Sequence, residues 1–334
     1  GVRRASAPAA PQPTPIIAML PSLSSIISRL RLKQLRLIVA LADHGSLIRA
    51  AEQVHLSQPG ATKALKEIES AIGTTLFVRS NRGLEPNALG HSVVRYARLI
   101  LTDISHLREE LLGILHGDGG RLAVGTVMGA VPFLTDALSR FLRRQPNVTV
   151  QIVEDTSAQL LDLLDQGRLD LALCRTSVSE HPQLYDAVRV RDERLAVVSH
   201  PAHPLAKRRS LKLKDLAGFR WVVYRANMPM RLLLEREFHD VDVAFPATLI
   251  ETTSAFTTLS FLQRHPTMVA MLSVDVAQEF EKFGFVKLLP VAFKYKSDPY
   301  LLVTRHDRHP TPVSQMFIAE FAGDATVTPD PKSG

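Results

Sequence analysis

Four polar residues recur on one side of a predicted helix near residue 60: Gln58, Thr62, Lys63 and Lys66. They supply an amide, a hydroxyl and two cations. Glutamine can make two hydrogen bonds to adenine in the major groove of DNA, threonine can contact a thymine methyl group, and lysine can bind guanine or phosphate. The alternative is an ordinary helical hairpin with a solvated basic face, and the pattern alone leaves both open.

Two short helical patterns, joined by a tight polar turn, position these residues after a first helix over Leu32–His44. Ser46 is expected to cap the earlier one, whose inward positions are Leu47, Ala50, Ala51 and Val54. Ser57 is expected to cap the later one, with Pro59 in its first turn, where a missing N–H costs nothing. Apolar residues then recur at helical spacing, at Ala61, Ala64, Leu65, Ile68, Ala71 and Ile72.

A hairpin is predicted directly after this helix-turn-helix. A strand over Thr74–Val78, a turn over residues 80–83 and a return at Leu84–Glu85 would form a wing beside the second helix. Arg79 and Arg82 on the wing are expected to contact phosphate or the minor groove, with solvated surface arginines as the alternative. The predicted DNA-binding residues are therefore Ser57, Gln58, Pro59, Thr62, Lys63, Lys66, Arg79 and Arg82.

Residues 56–86 resemble the N-terminal domain of LysR-type transcriptional regulators. The matching motif, in order and spacing, is Ser57-Gln58-Pro59, Ile68-Glu69, Gly73, Leu76-Phe77, Arg79 and Arg82. Departures are Gly60 for the usual Ala, Thr62 for Ser, and the segment 87–90 for Thr-x-Ala-Gly. The resemblance implies a sequence-specific regulator of transcription, with RNA polymerase as an expected further partner.

One long helix without proline is predicted over residues 87–116. Its apolar residues follow a heptad spacing, which predicts that the helix packs against a partner helix. These residues are Val93, Ala97, Ile100, Ile104, Leu107, Leu111 and Ile114. Packing within the chain is one alternative, and a symmetric copy is the simpler one, as a homodimer or homotetramer. A dimer would pair two recognition helices on a pseudo-palindromic site in double-stranded DNA. The family resemblance implies the same role for this linker helix.

The glycine-rich segment 117–120 is predicted to be a hinge, beyond which strands and helices alternate as in a parallel α/β sheet. Residues 119–321 resemble the effector-binding domain of LysR-type regulators, which is similar to type 2 periplasmic binding proteins. Lobe I would comprise about 119–192 plus 292–321, and lobe II about 193–291. The predicted fold class is α + α/β: a winged helix-turn-helix domain at 30–86, a linker helix at 87–116 and a two-lobed α/β effector domain.

Ligands of open α/β sheets bind beyond the carboxyl ends of the strands, near helix N-termini. The residues there that are expected to contact a small-molecule effector are Thr126, Met128, Thr156, Arg225, Thr252 and Thr253. For each, capping or turn formation is the alternative, and Met128 could plug the cleft instead. Arg225 could pair with a carboxylate, and the hydroxyls suit a sugar, a sugar acid or a small aromatic acid.

The charge of this 334-residue chain is uneven. Its net charge is +7, yet the first 30 residues hold three arginines and no acid, and residues 31–90 hold eight cations against five acids. The positive excess therefore coincides with the proposed DNA-binding domain. The segment 1–29 is expected to be a disordered leader, with a helix over 16–30 left open, and 322–334 a frayed tail.

Neither an enzyme nor a membrane protein is indicated. Cys174, the only cysteine, lies in an apolar run, so it is expected to be a packed hydrophobe in a protein of the reducing cytoplasm. No membrane span, metal-ligand spacing, phosphate loop or nucleophile motif is present, and no cofactor or metal is expected. A solute-binding protein or transferase on the same lobes is the competing interpretation, and it would require an export signal or a catalytic constellation.

Overall fold

The computed structural model describes residues 20–81, 83–116, 119–322 and 328–329. The chain forms two compact units, one up to residue 104 and one from residue 105 onward. The division falls inside a single long helix. Each unit has its own hydrophobic core, and the second unit contains two such cores.

The first unit is helical with one small hairpin. Its elements are α1 (Leu23–Arg29), α2 (Leu32–His44), α3 (Leu47–Gln53), α4 (Gln58–Ile72), β1 (Phe77–Ser80), β2 (Gly83–Pro86) and most of α5 (Ala88–His116). Helices α2, α3 and α4 enclose a core that includes the fully buried Ala50, Ala61 and Ile68. The small alanine at position 50 lets α3 approach its neighbours closely.

Three predictions for this unit need correction. Residues 23–29 of the expected leader are helical, in agreement with the alternative of a helix over 16–30, and Arg29 Nη2 donates to Ser70 Oγ at 2.9 Å, so α1 is tied to α4. Residues 1–19 of the expected leader lie outside the described residues. Ser46 occupies the cap position of α3, but its side chain makes no capping hydrogen bond. The first strand of the wing begins at Phe77 rather than at Thr74, because the N–H groups of Leu76 and Phe77 donate to the Glu69 carboxylate.

The start of α5 explains one departure from the family motif. Asn87 caps the helix, since its Oδ1 accepts the N–H of Gly90 at 2.8 Å while its Nδ2 donates to the Thr75 carbonyl at 2.8 Å. Asparagine is among the best capping residues, so it can replace threonine here without loss.

Gly90→Ala is expected to lower the thermal unfolding temperature of the first unit. Helix propensity alone favours alanine over glycine by about 1 kcal/mol. However, a β-carbon at Gly90 would overlap the backbone carbonyl oxygen of Leu76. The matched control is Gly218→Ala, where a β-carbon would meet nothing within 4 Å. Calorimetry showing Gly90→Ala as stable as the wild type would contradict this close packing.

The second unit alternates strands and helices. After the end of α5 come β3 (Arg121–Thr126), α6 (Val131–Arg144), β4 (Thr149–Glu154), α7 (Ser157–Asp165), β5 (Leu171–Cys174), β6 (Tyr185–Arg191), β7 (Leu195–Ser199), β8 (Trp221–Val223), α8 (Pro229–Asp240), β9 (Leu249–Glu251), α9 (Ala255–Arg264), β10 (Val269–Ser273), α10 (Val274–Lys282), β11 (Lys287–Leu289), β12 (Tyr300–Arg305), α11 (Pro312–Ala322) and β13 (Thr328–Pro329). Strands β6 and β13 and helix α10 were not predicted, and β13 corrects the expectation of a frayed tail, because Thr328 and Pro329 pair with β6.

These strands form two sheets, one in each lobe. The sheet of lobe I has the order β13-β6-β12-β5-β3-β4, and that of lobe II has the order β11-β7-β10-β8-β9. Both sheets are mixed rather than parallel, which corrects the expectation. Strand β12 runs antiparallel to β5, and β7 runs antiparallel to β10. These are the two strands that follow the crossovers: the chain enters lobe II at β7 and returns to lobe I at β12.

The described part of the predicted glycine hinge, residues 119–120, is held by backbone hydrogen bonds and close packing. Gly119 donates its N–H to the Asn147 carbonyl at 3.2 Å, and the Gly120 carbonyl accepts the N–H of Thr149 at 2.9 Å. A β-carbon at Gly119 would lie 2.7 Å from the Val148 nitrogen. Residues 119–120 therefore extend the pairing between β3 and β4, while residues 117–118 lie outside the described residues.

Candidate DNA-binding surface and effector site

The beginning of α4 is fixed by its own sequence. The hydroxyl of Ser57 accepts the N–H of Gly60 at 3.2 Å, which satisfies one donor that has no carbonyl partner in the first turn. Pro59 lies in that first turn, as predicted. Residues Ala61, Ile68 and Ala71 are buried, so the orientation of the helix about its axis is determined by its apolar face.

That orientation presents the polar residues together. The side chains of Gln58, Lys63 and Lys66 are exposed, and Thr62 is half-buried. The Thr62 hydroxyl donates to the Gln58 carbonyl at 3.0 Å, so its methyl group is the part free for an outside contact. The surface formed by these four residues is hereafter the α4 polar face.

The wing lies next in the chain. Strands β1 and β2 pair antiparallel, with Arg79 opposite Leu84, and Arg79 is exposed. The other predicted wing contact, Arg82, lies outside the described residues. The hairpin is joined to α2 through the Leu84 N–H, which donates to the Gly45 carbonyl at 2.8 Å.

The heptad seam of α5 divides into two parts. Ala97 is buried in the core of the first unit and Val93 packs against that core, so these two residues follow the alternative of packing within the chain. Ile100, Ile104, Leu107 and Leu111 are exposed, and the side chain of Ile114 lies outside the described residues. These four exposed residues are hereafter the α5 stripe.

In the second unit, the carboxyl ends of strands from both lobes meet. Met128 follows β3 of lobe I, yet it packs into the core of lobe II, in line with its alternative role as a plug. The Tyr224 hydroxyl, after β8, lies within electrostatic range of Arg175, after β5, and of Glu154, at the end of β4. The strand ends where a ligand is expected therefore face one another across the lobe junction.

The predicted effector residues differ in their exposure and in whether their hydroxyl groups already form hydrogen bonds. Thr126 is fully buried and its hydroxyl donates to the Val127 carbonyl, whereas Thr156 caps α7 by accepting the Gln159 N–H at 3.4 Å. The hydroxyl of Thr252 accepts the Ser254 N–H at 3.1 Å. Arg225 and Thr253 are exposed.

A buried polar cluster at the junction was not predicted. Arg175 is 6% exposed and forms an ion pair with Glu193, which is 3% exposed. The guanidinium carbon of Arg175 also lies 5.0 Å from the ring centroid of Tyr300, and its Nε donates to the Asp298 carbonyl at 3.2 Å. The cluster joins lobe I to both crossover segments. The sequence indicates this cluster at one point only, because Arg175 is a charged residue that directly follows the buried strand β5.

Glycine is required beside this cluster. A β-carbon at Gly129 would overlap the Tyr300 hydroxyl and the Glu193 carboxylate. Burial raises the pKa of Tyr300 and of Tyr224, so both remain neutral hydroxyls. Burial likewise raises the pKa of the Cys174 thiol to about 12, and this cysteine is packed in the core of lobe I, as predicted.

The described part of the chain contains neither a cluster of metal ligands nor a helix that could span a membrane. No group of three or more His, Cys, Asp or Glu side chains there is arranged to hold a metal ion. Among the same residues, no helix combines the length and the apolar character that crossing a membrane requires.

Comparison with known proteins agrees with this architecture. The family model described as "LysR substrate binding domain" matches residues 116–325, and "Bacterial regulatory helix-turn-helix protein, lysR family" matches residues 32–91. This chain belongs to the LysR family of transcriptional regulators. It is therefore a DNA-binding regulator with an effector-binding domain, and the predicted fold class is confirmed.

Individual relatives cover most of this LysR-family regulator. The HTH-type transcriptional regulator GbpR of Azospirillum brasilense is 31% identical over 294 residues, which are 87% of this chain and 86% of that protein. The crystal structure of CbnR, a LysR family transcriptional regulator, superposes with a TM-score of 0.61 at 20% identity, covering 87% of this chain and 98% of CbnR. Full-length CbnR in complex with its target DNA gives a TM-score of 0.60 at 22% identity.

Proposed function

We propose that this regulator binds a small-molecule effector between lobes I and II, and that the effector controls its binding to DNA. The observation that carries the proposal is the meeting of strand ends at the lobe junction, where Met128 of lobe I packs into lobe II. A ligand that favours one arrangement of the lobes shifts an equilibrium between arrangements that already exist.

The effector would contact both lobes. Thr126, Met128 and Thr156 would contribute from lobe I, and Arg225, Thr252 and Thr253 from lobe II. Arg225 is exposed and forms no ion pair within the described residues, so it is available for a carboxylate. The threonine hydroxyl groups suit the polar atoms of a sugar, a sugar acid or a small aromatic acid.

A thermal-shift screen of these three compound classes on the full chain tests the effector proposal. An effector at 100 times its dissociation constant stabilises the folded state by about 2.7 kcal/mol, so its addition should raise the unfolding temperature measurably. The same compound should change the affinity for DNA. A compound that stabilises the protein equally well in Arg225→Ala and Thr252→Ala variants would place the site elsewhere.

The second part of the proposal concerns DNA. We infer that the α4 polar face enters the major groove and that Arg79 and Arg82 of the wing contact phosphate or the minor groove. The support is the exposure of Gln58, Lys63 and Lys66 on one helix that is fixed by a buried face. A second copy, joined through the α5 stripe, would place a second α4 on a pseudo-palindromic site. RNA polymerase is the proposed further partner.

Gln58→Ala is expected to weaken binding to the regulator's own upstream DNA by about 1–3 kcal/mol, while binding to random DNA changes little. The reason is that a glutamine amide contacts base edges, whereas random DNA is bound through phosphates. Fluorescence anisotropy on both duplexes measures the difference. Gln278→Ala, an exposed glutamine of α10, is the matched control. Equal losses on both duplexes would show that Gln58 does not contact bases.

A further inference from the structure

A strongly basic surface lies on lobe II, apart from the α4 polar face. Residues 207–220 contain six cations and a single acid, Asp215. All six cations are exposed: Lys207, Arg208, Arg209, Lys212, Lys214 and Arg220. Within the described part of the chain none of them forms an ion pair. This set is hereafter the lobe II basic surface.

The backbone that carries these cations is held in place. Leu211, Leu213 and Leu216 are buried in the core of lobe II, and the Leu211 N–H donates to the Pro290 carbonyl at 3.1 Å. The carboxylate of the single acid, Asp215, accepts the backbone N–H of Lys212 at 2.8 Å and forms no ion pair with the six cations. The cations are thus presented from an ordered segment and are not neutralised by it.

The position of the surface separates it from the effector site. Ser199, at the end of β7, and Trp221, at the start of β8, both pair with Val269. The segment 200–220, which connects β7 to β8, therefore begins and ends at the same end of the sheet. The lobe junction lies at the other end, where β8, β9 and β10 finish. These cations therefore lie at the opposite end of the sheet from the proposed effector site.

We propose that the lobe II basic surface binds the phosphate backbone of double-stranded DNA, as a second contact beyond the helix-turn-helix domain. DNA carries a negative charge about every 1.7 Å along its axis, and flexible Lys and Arg side chains bind phosphates without sequence preference. A chain that is already bound to DNA makes this contact intramolecularly, so even weak phosphate contacts are populated.

The residues between the cations favour DNA over a membrane. A segment that inserts into an anionic lipid surface buries large apolar side chains beside its cations. Among residues 200–220 no large hydrophobic side chain is exposed, and the leucines point into the core. The lobe II basic surface is therefore suited to a purely electrostatic contact with a polyanion.

The test uses the full chain with Lys207, Arg208 and Arg209 all replaced by glutamine. Its affinity for a long random-sequence duplex is measured by anisotropy at several salt concentrations. Each phosphate contact contributes about 0.9 to the slope of log K against log salt, so the magnitude of the slope should fall by about 2 to 3. The matched control replaces three exposed cations elsewhere in the second unit, Arg143, Arg168 and Lys296, with glutamine and should keep the wild-type slope.

Three outcomes would overturn the proposal. The slope of the Lys207/Arg208/Arg209 variant could equal that of the wild type, or both triple variants could lose slope equally, which would reflect net charge alone. The variant could also keep its DNA binding and lose binding to phosphatidylserine vesicles, which would assign the surface to a membrane. DNA binding through α4 is tested separately by Gln58→Ala, so the two proposals fail independently.

Discussion

Replacing Glu193 with alanine is expected to lower the free energy of unfolding of the second unit by about 3–5 kcal/mol, because it leaves the Arg175 guanidinium buried without its counter-ion. Both side chains are more than nine-tenths buried, and the pair joins strand β5 of lobe I to the segment that enters lobe II. Urea-induced unfolding, followed by the fluorescence of the buried Trp221 in lobe II, measures the loss.

A second glutamate supplies the matched control. Glu235 pairs with Arg231 at 2.7 Å, but its side chain is 38% exposed. Arg231 itself is buried, but without Glu235 it keeps Glu251 at 2.8 Å and the Tyr224 carbonyl at 3.0 Å as partners, so Glu235→Ala should cost little. Replacing both members of the buried pair, as Arg175→Met with Glu193→Leu, should recover much of the stability lost in Glu193→Ala. Equal, small losses for Glu193→Ala and Glu235→Ala would show that the junction does not depend on this pair.

The second large effect is expected on assembly. Leu107 and Leu111 are 55% and 51% exposed on the α5 stripe. If the stripe packs against a second copy, Leu107→Glu with Leu111→Glu places like charges against one another, which costs several kcal/mol. The dissociation constant of the oligomer should therefore rise by about 100-fold or more. The variant should remain folded, because neither side chain belongs to a core.

Light scattering after size-exclusion chromatography measures this change. The wild type should elute with at least twice the mass of one chain, and the double variant with the mass of a single chain. The matched control, Leu232→Glu with Met316→Glu, replaces exposed apolar residues of α8 and α11 and should leave the mass unchanged. An oligomer that survives the Leu107 and Leu111 changes would show that copies associate through another surface.

Local patterns in the sequence predicted the helix-turn-helix well, because its elements are short and specified by neighbouring residues. Ser57 caps the helix that begins at the next residue, and the apolar spacing from Ala61 onward determines which side of α4 is exposed. Such information lies within about four turns of helix. The α4 polar face could therefore be inferred before any long-range contact was known.

The lobe junction could not be predicted in this way. Arg175 and Glu193 lie 18 residues apart, and Asp298 lies 123 residues beyond Arg175. They meet only because the chain crosses twice between the lobes. Helix α10 was missed for a different reason: Ser273 both ends β10 and caps the helix, accepting the Val276 N–H at 3.5 Å, so no turn residues separate the two elements.

The roles of the residues in the heptad pattern could not be assigned without the structure. Spacing cannot distinguish a residue that packs into its own domain from one that faces a second copy. The structure assigns Ala97 to the core of the first unit and leaves Ile100, Ile104, Leu107 and Leu111 exposed. A seam of seven residues is thereby reduced to a shorter exposed stripe.

Methylation protection with dimethyl sulfate on the regulator's own upstream DNA tests the central claim most directly. The reagent modifies guanine N7 in the major groove and adenine N3 in the minor groove. If two copies of the α4 polar face enter successive major grooves, guanine N7 should be protected in two symmetric patches, with centres about one helical turn apart or a multiple of it. Unprotected guanines in DNA that the protein demonstrably binds would contradict the account.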